Sequence, residues 1–235
     1  TFSTYNDRWK ERDPNWKPAA YQKEQDPIRG VFAYVADGLL QPGEEAPAHQ
    51  PQLLPGQVKL KNINGDDKLN EEDMVLIGRN DPKFIFGFNN NFSYKNFDLN
   101  IYMYGQVGKI AGANSYYDAW GSYGNRIKLG QNVPVSFKDA WSSDNQTSTR
   151  PSFIESAYGT GDLFLQKISF LRIRNITLGY TVPISKSICN RLRVYADINN
   201  PCVWTNWKGQ DPETDSNTNA YPNVTSFSIG VDISF

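Results

Sequence analysis

The sequence is short of the residues that most chemistry needs. Its 235 residues hold one histidine, His49, and two cysteines, Cys189 and Cys202. Two thiols cannot build a four-cysteine zinc site. The single imidazole lies in the proline-rich stretch Ala48-His49-Gln50-Pro51 with no nucleophile motif beside it, a poor basis for a histidine triad. Glycine patterns that cradle nucleotides and the G-x-S-x-G elbow are missing as well. Carboxylates are plentiful, but nothing places a glycosidase pair, so the chain reads as a non-enzyme. An excess of one charge is also lacking: 24 Lys plus Arg against 25 Asp plus Glu give a net charge of −1. With no basic cluster, a nucleic-acid partner is excluded, because phosphate binding rests on concentrated positive charge. No run of 18 apolar residues occurs, so no transmembrane helix is available. The first residue is Thr1, without an initiator Met or a signal peptide, which reads as a chain processed, trimmed or cut from something longer.

Aromatic residues, by contrast, are abundant. There are 13 Phe, 13 Tyr and 6 Trp, yet the mean hydropathy is −0.59. Many rings in a chain that is polar on average suit half-exposed strands better than a helical core. Five segments alternate with period two. The first carries Phe84, Phe86, Phe88, Phe92 and Tyr94; the second carries Phe97, Leu99, Ile101 and Met103, and only Lys95-Asn96 separates them, which predicts a tight hairpin. A third runs over about 163–182, a fourth through Leu192, Val194, Ala196 and Ile198, and a fifth through Phe227, Ile229, Val231, Ile233 and Phe235. In the third the apolar positions change from odd (Leu171, Ile173) to even (Ile176, Leu178, Tyr180, Val182). One extra residue near Arg174 or Asn175, a β-bulge, restores a single face; a change of surroundings along the strand is the alternative. The cysteines lie near predicted strand ends that point to different sides, so free thiols are expected.

The connections alternate short (95–96 and 183–190) and long (106–162 and 207–223). Strands of about ten residues joined this way are the pattern of an outer-membrane barrel. Five strands cannot close a barrel, and unpaired backbone groups cannot be left in lipid, so this reading makes the chain part of a larger wall.

Several blocks in order then become informative. They are Tyr34-Val35-Ala36-Asp37-Gly38, Leu60-Lys61-Asn62-Ile63-Asn64-Gly65-Asp66, Ile77-Gly78, Asp81-Pro82-Lys83-Phe84 and Gly87-Phe88-Asn89-Asn90. Phe92-Ser93-Tyr94, Phe97-Asp98-Leu99, the run from Phe170 to Tyr180, Leu192-Arg193-Val194-Tyr195, Gly209 with Asp211-Pro212-Glu213, and the terminal Phe235 complete the set. Together, over roughly 28–235, the sequence resembles the C-terminal region of SusC/RagA-type TonB-dependent outer-membrane transporters of Bacteroidetes. The resemblance implies an all-β fold, the C-terminal segment of a large antiparallel transmembrane β-barrel. Residues 1–83 would be an extracellular loop region, and 84–235 the last five strands with long extracellular loops at 106–162 and 207–223. It also implies a bacterial outer-membrane location in the lipid bilayer and a SusD-like surface lipoprotein as partner. The TonB complex would act through a missing N-terminal part, and the cargo would be a glycan or a peptide. A secreted or surface β-domain that binds glycans with a calcium-stiffened loop is the alternative.

Four groups of residues are candidates for function. Asn62, Asn64, Asp66, Lys68 (through its carbonyl) and Asp73 have the 1-3-5-7-12 spacing of a calcium loop, with Asn62 in place of the usual Asp and Asp67 at the glycine position. Tyr116, Tyr117 and Trp120 could stack on a sugar or a peptide. Phe227, Ile229, Val231, Ile233 and Phe235 resemble the C-terminal signal read by barrel-assembly machinery. In the barrel reading Tyr94, Phe97, Tyr180 and Phe235 belong to the periplasmic aromatic girdle and Trp204 to the outer one. Arg172, Asp197 and Asp232 face the lumen, solvated or paired with the plug.

Overall fold

The computed structural model describes residues 1–4, 6–8, 15, 17–112, 129–130, 132–133, 135–153, 158–184, 189–214 and 220–235. Ten strands are found among them: β1 (Phe2–Thr4), β2 (Gly30–Ala33), β3 (Ala36–Leu39), β4 (Val58–Leu60), β5 (Val75–Arg79), β6 (Phe84–Tyr94), β7 (Phe97–Gly112), β8 (Leu165–Val182), β9 (Arg191–Thr205) and β10 (Ser226–Ser234). Six of these form one antiparallel sheet in the order β1-β6-β7-β8-β9-β10.

The five alternating segments are the last five strands of that sheet. Tyr94 pairs with Phe97 across the two-residue turn, where Lys95 takes φ 52°, so the hairpin forms where the sequence places it. The phase slip is a bulge. Both neighbours of β8 pair with Ile173 and then Asn175, and Arg174 is left over. Opposite it, Asn200 takes φ 49°. Period-two alternation with this one correction gives the sheet two unlike faces. Rows such as Phe92–Leu99–Leu178–Ala196–Ile229 make one face apolar, and rows such as Asn91–Asn100–Thr177–Asp197–Ser228 make the other polar.

The structure moves three boundaries. The predicted excursion 1–83 begins with β1, whose Phe2 and Thr4 pair with Phe86 and Phe84 of β6; three residues are too few to show a period. The predicted loop 106–162 starts only after Gly112. Gly105 and Gly108 interrupt the apolar pattern, but β7 continues through a second bulge at Gly108, where φ is 84°. The strand after Leu192–Ile198 likewise runs on to Thr205. At about 3.3 Å per residue, β7–β9 are each roughly 50–60 Å long, longer than the tilted strand of about ten residues that crosses a bilayer.

Beyond the ends of β6–β9 opposite the Lys95 turn, here called the loop end, a second body packs on the sheet. It holds the pairs β2–β5 and β3–β4; Leu39, Val58 and Leu60 of β3–β4 form a core that also takes Trp141, Tyr158 and Leu163 from the long β7–β8 connection. Asp162 joins the two pieces by accepting the Ala36 N–H (2.8 Å) and donating its own N–H to the Tyr34 carbonyl (2.9 Å). Gln50 is fully buried, accepting from Leu60 N–H (2.7 Å) with its carboxamide oxygen, and His49 Nε2 lies 2.7 Å from the Leu60 carbonyl. That contact gives the only histidine a structural place. Gly56, with φ 84°, lies against the Trp141 ring so closely that a Cβ would overlap it. Both cysteines are free thiols, Cys189 buried and Cys202 half-buried.

Candidate functional site

The polar face of the sheet carries a ladder of side-chain hydrogen bonds. Asn100 Nδ2 donates to Asn89 (2.7 Å) and Asn91 (2.6 Å) on β6. Asn175 Nδ2 donates to Asp197 (3.1 Å) and Asn199 (3.0 Å) on β9, and Thr177 donates to Asn175 and Asp197. Near the Lys95 turn, Arg193 spans three strands. It pairs with Asp98 of β7 (2.6 Å) and Asp232 of β10 (3.1 Å) and lies over the Tyr195 ring. Reaching β7 from β9 requires passing over β8, and the residue beneath is Gly179. A Cβ there would run into both the guanidinium and the Asp98 carboxylate. The glycine of the Leu178-Gly179-Tyr180 block is therefore a clearance.

At the loop end the polar face is covered. Arg172 and Arg174 share the polar side of β8 by ordinary alternation, and the bulge at Arg174 brings Asn175 onto that side as well. Arg172 is 2% exposed and pairs with Asp211 (2.7 Å), while its Nε lies 3.1 Å from Glu213. Arg174 pairs with Glu213 (2.7 Å) and sits over the Tyr104 ring. Asn223 closes the cluster, giving its backbone N–H to Asp211 (2.9 Å) and its Nδ2 to Glu213 (2.6 Å). Next to it Trp207 is buried against Ala111, Ile168 and Phe170, with Gly209 directly beneath its ring. The described parts of the 207–223 loop are thus folded down onto the sheet.

Two carboxylates in this cluster shift in opposite directions. Burial raises the Asp211 carboxyl, but the N–H groups of Glu213 and Asn223 and the charge of Arg172 outweigh it and hold Asp211 below the ordinary carboxylate range. For Glu213 burial wins over Arg174 and Arg172, and its carboxyl is pushed up.

Arg172 is therefore neither solvated nor waiting for a plug, contrary to the sequence expectation: its partners belong to this chain. Asp197 and Asp232 do lie on the polar face, but each is hydrogen-bonded to neighbouring strands. Sequence reasoning missed Asp211, Glu213 and Asn223 as a unit. The signal was present as the Asp211-Pro212-Glu213 block and the pair of arginines beside the phase slip, but nothing in the sequence says that they meet.

The calcium-like loop folds around its own backbone. Asn62 accepts from Gly65 N–H (2.5 Å), Asn64 from Asp66 N–H (3.1 Å), and Asp66 from Lys68 N–H (3.0 Å). Asp67 takes φ 59°, the left-handed turn that glycine usually supplies. Asp73 is fully buried and accepts from Ile63 (2.7 Å), Asn64 (3.4 Å) and Asn70 (3.0 Å) N–H groups. Burial raises its carboxyl, and these donors together with His49 bring it below its ordinary value. Of the five candidate ligands only Asp66 and Asp73 are carboxylates, both oxygens of Asp73 accept backbone N–H groups, and no three His, Cys, Asp or Glu cluster among the described residues.

Tyr116, Tyr117 and Trp120 lie outside the described residues. Phe227, Ile229, Val231, Ile233 and Phe235 stand on the apolar face of β10, 53–87% exposed. Phe97 and Tyr180 pair across β7 and β8 with ring centroids 4.7 Å apart, and Tyr94 and Trp204 are exposed on the same face.

No family model matches the chain. It is 27% identical over 236 residues to the TonB-dependent receptor P3 of Formosa agariphila, an alignment that takes in 91% of this chain and 23% of that protein. It is 26% identical over 180 residues to the TonB-dependent receptor SusC of Bacteroides thetaiotaomicron, covering 73% of this chain and 17% of SusC. Among solved structures it superposes on the RagAB peptide transporter with a TM-score of 0.70 at 22% identity, covering 90% of this chain and 23% of that one. The open-open state of the RagAB peptide importer gives 0.70 at 23% identity, with 96% and 24% covered. The all-β antiparallel fold thus matches part of the RagAB peptide transporter structure, and the resemblance to TonB-dependent receptors including SusC holds. These relatives are receptors and transporters, not enzymes. The chain spans about a quarter or less of their length.

Proposed function

We propose that this chain is part of the wall of a TonB-dependent outer-membrane importer that takes up oligosaccharide or oligopeptide nutrients together with a SusD-like surface lipoprotein. In this reading the apolar face meets lipid, the polar face lines the lumen, the Lys95 turn is periplasmic and the loop end is extracellular. The observation that carries it is the contrast between the two faces. One leaves rows of large apolar side chains uncovered, Ile229 at 84% and Phe227 at 74%, whereas the other links amide and charged side chains across strands. In water such a face is a liability; in a bilayer it is the contact surface. The name of RagAB as a peptide transporter supports an oligopeptide cargo. Transport is powered in this scheme through TonB, and the 207–223 loop, tied to Arg172 and Arg174, narrows the extracellular mouth.

Calcium is a separate part of the proposal. Asn62, Asn64, Asp66, the Lys68 carbonyl and Asp73 would hold it, and its role would be to stiffen the loop. With only two carboxylates, binding belongs in the weak range of about 10⁻⁴–10⁻³ M typical of extracellular sites.

Neighbouring substitutions on β10 test the barrel. Ile229→Arg puts a charge into lipid at a cost of about 2–4 kcal/mol near the midplane, while Ser228→Arg faces the lumen. The first should deplete the full-length protein from the outer-membrane fraction and the second should not. Equal recovery of both variants, or a water-soluble native protein without partners, would overturn the reading in favour of a soluble β-domain.

A further inference from the structure

A cavity of about 440 Å³ opens at the loop end, apart from the cluster around Asp211. Thr149, Arg150, Gln166, Lys167, Asn206 and Lys208 supply its polar wall, and the segment 163–165 supplies the rest. Among the described residues the wall contains three cations and no carboxylate. Arg150 has a partner of its own, but the ammonium groups of Lys167 and Lys208 have no partner among the described residues. This sets them apart from Lys59, Arg29, Arg79, Arg172 and Arg193, each of which is matched to a carboxylate. The frame around them is fixed by the strand. Asn206 accepts the Ser169 N–H (2.8 Å) and donates to the Lys167 carbonyl (2.6 Å), and Gln166 accepts the Lys208 N–H (3.4 Å) with its oxygen.

The position of Lys167 narrows the ligand. The extra residue of the Gly108 bulge is on β7, so β8 itself alternates without a slip from Lys167 to Leu171 and the two residues lie on the same, apolar face; Leu171 pairs with Trp204, which is 56% exposed. Four residues further along a strand is about 13 Å, or roughly 9 Å along the membrane normal at a tilt near 45°. Lys167 therefore stands on the lipid side, just beyond the outer end of the apolar band, where anionic headgroups collect and each lysine contributes about 1 kcal/mol of attraction. A cargo molecule would pass along the opposite face. We propose that this cavity binds a phosphate group on the sugar headgroup of a glycolipid in the surrounding outer leaflet. A phosphate brings up to two charges and three acceptor oxygens to the two ammonium groups. The inference rests on the barrel orientation given under Proposed function.

The test uses the full-length protein extracted in detergent from outer membranes. Binding of a phosphorylated glycolipid, and of the same glycolipid stripped of phosphate, is read by native mass spectrometry. The variants are Lys167→Ala/Lys208→Ala and the charge-keeping Lys167→Arg/Lys208→Arg. The expected result is a loss of about 30-fold for the phosphorylated lipid in the Ala pair, retention in the Arg pair, and no change for the stripped lipid. Unchanged affinity in the Ala pair overturns the proposal. So does a loss of binding confined to an acidic oligosaccharide or peptide, which would make the cavity a cargo site. If the native protein is never recovered from outer membranes, it is the barrel reading itself that fails. Exposed lysines leave the fold intact, and equal melting temperatures of the variants check this.

Discussion

The polar face holds two arginine networks that differ in what surrounds them. Arg193 joins Asp98 and Asp232 near the Lys95 turn, where the side chains of the two acids are 37% and 58% exposed. Arg172 joins Asp211 and Glu213 at the loop end, where the corresponding exposures are 4% and 14%. Both use one guanidinium to satisfy two carboxylates, but the first is screened by solvent and the second is not. An exposed pair is worth about 1 kcal/mol or less, whereas breaking a buried one strands its partners at about 3–5 kcal/mol. The first network therefore trims the geometry of strands that are already paired, and the second decides whether the 207–223 loop lies down at all.

The largest effect should come from Arg172→Ala. It leaves Asp211 and Glu213 buried without their central cation, and we expect about 3–5 kcal/mol of destabilisation concentrated in the loop. Limited proteolysis of the detergent-extracted protein should cut within 207–223 far faster than in the wild type; an unchanged cutting rate would mean that the loop is held by Trp207 packing instead.

Next comes pH. Asp211 is depressed, so its contribution is complete above its unfolded pKa and is lost as pH falls through the folded value. Glu213 is raised, so its contribution is complete below its unfolded pKa and is lost as pH rises through its folded value. Loop protection should therefore peak in mildly acidic solution and fall on both sides. Asp211→Asn should abolish the acid limb of a proteolysis-versus-pH profile, and Glu213→Gln the other limb.

Arg193→Ala should cost about 1 kcal/mol or less, and raising salt should shrink that cost further. Gly179→Ala should displace the same guanidinium. Because both changes break one contact, the double variant should melt close to Gly179→Ala alone; strict additivity would show that the glycine has another role. The smallest effect belongs to calcium. At about 1 mM ion and the weak affinity proposed, the stabilisation is about 1 kcal/mol. It should vanish in Asp66→Asn, as read by thermal melting with and without a chelator.

Much of the sheet was legible in the sequence because alternation is a local property. The hairpin at Lys95-Asn96, the bulge at Arg174 and the apolar row from Phe227 to Phe235 follow from period two and one slip. β1 was not legible, since three residues carry no period and their partners Phe84–Phe86 lie far along the chain. The ends of β7 and β9 were not either, because Gly105, Gly108 and Asn200-Pro201 break the pattern while the backbone ladder continues.

The sequence by itself determined which residues share a face, since a strand's side chains alternate whatever the strand pairs with. It also supplied the resemblance to SusC and RagA transporters through blocks whose order survives at low identity. Only the tertiary structure decided which charges meet. Arg172 and Asp211 are 39 residues apart, and Arg193 and Asp98 are 95 apart; no local rule brings them together. Ion pairing depends on distance in space and on the solvent left around the pair. Both are set by strand order, by the glycine that lets an arginine pass, and by the loop that folds down over the sheet.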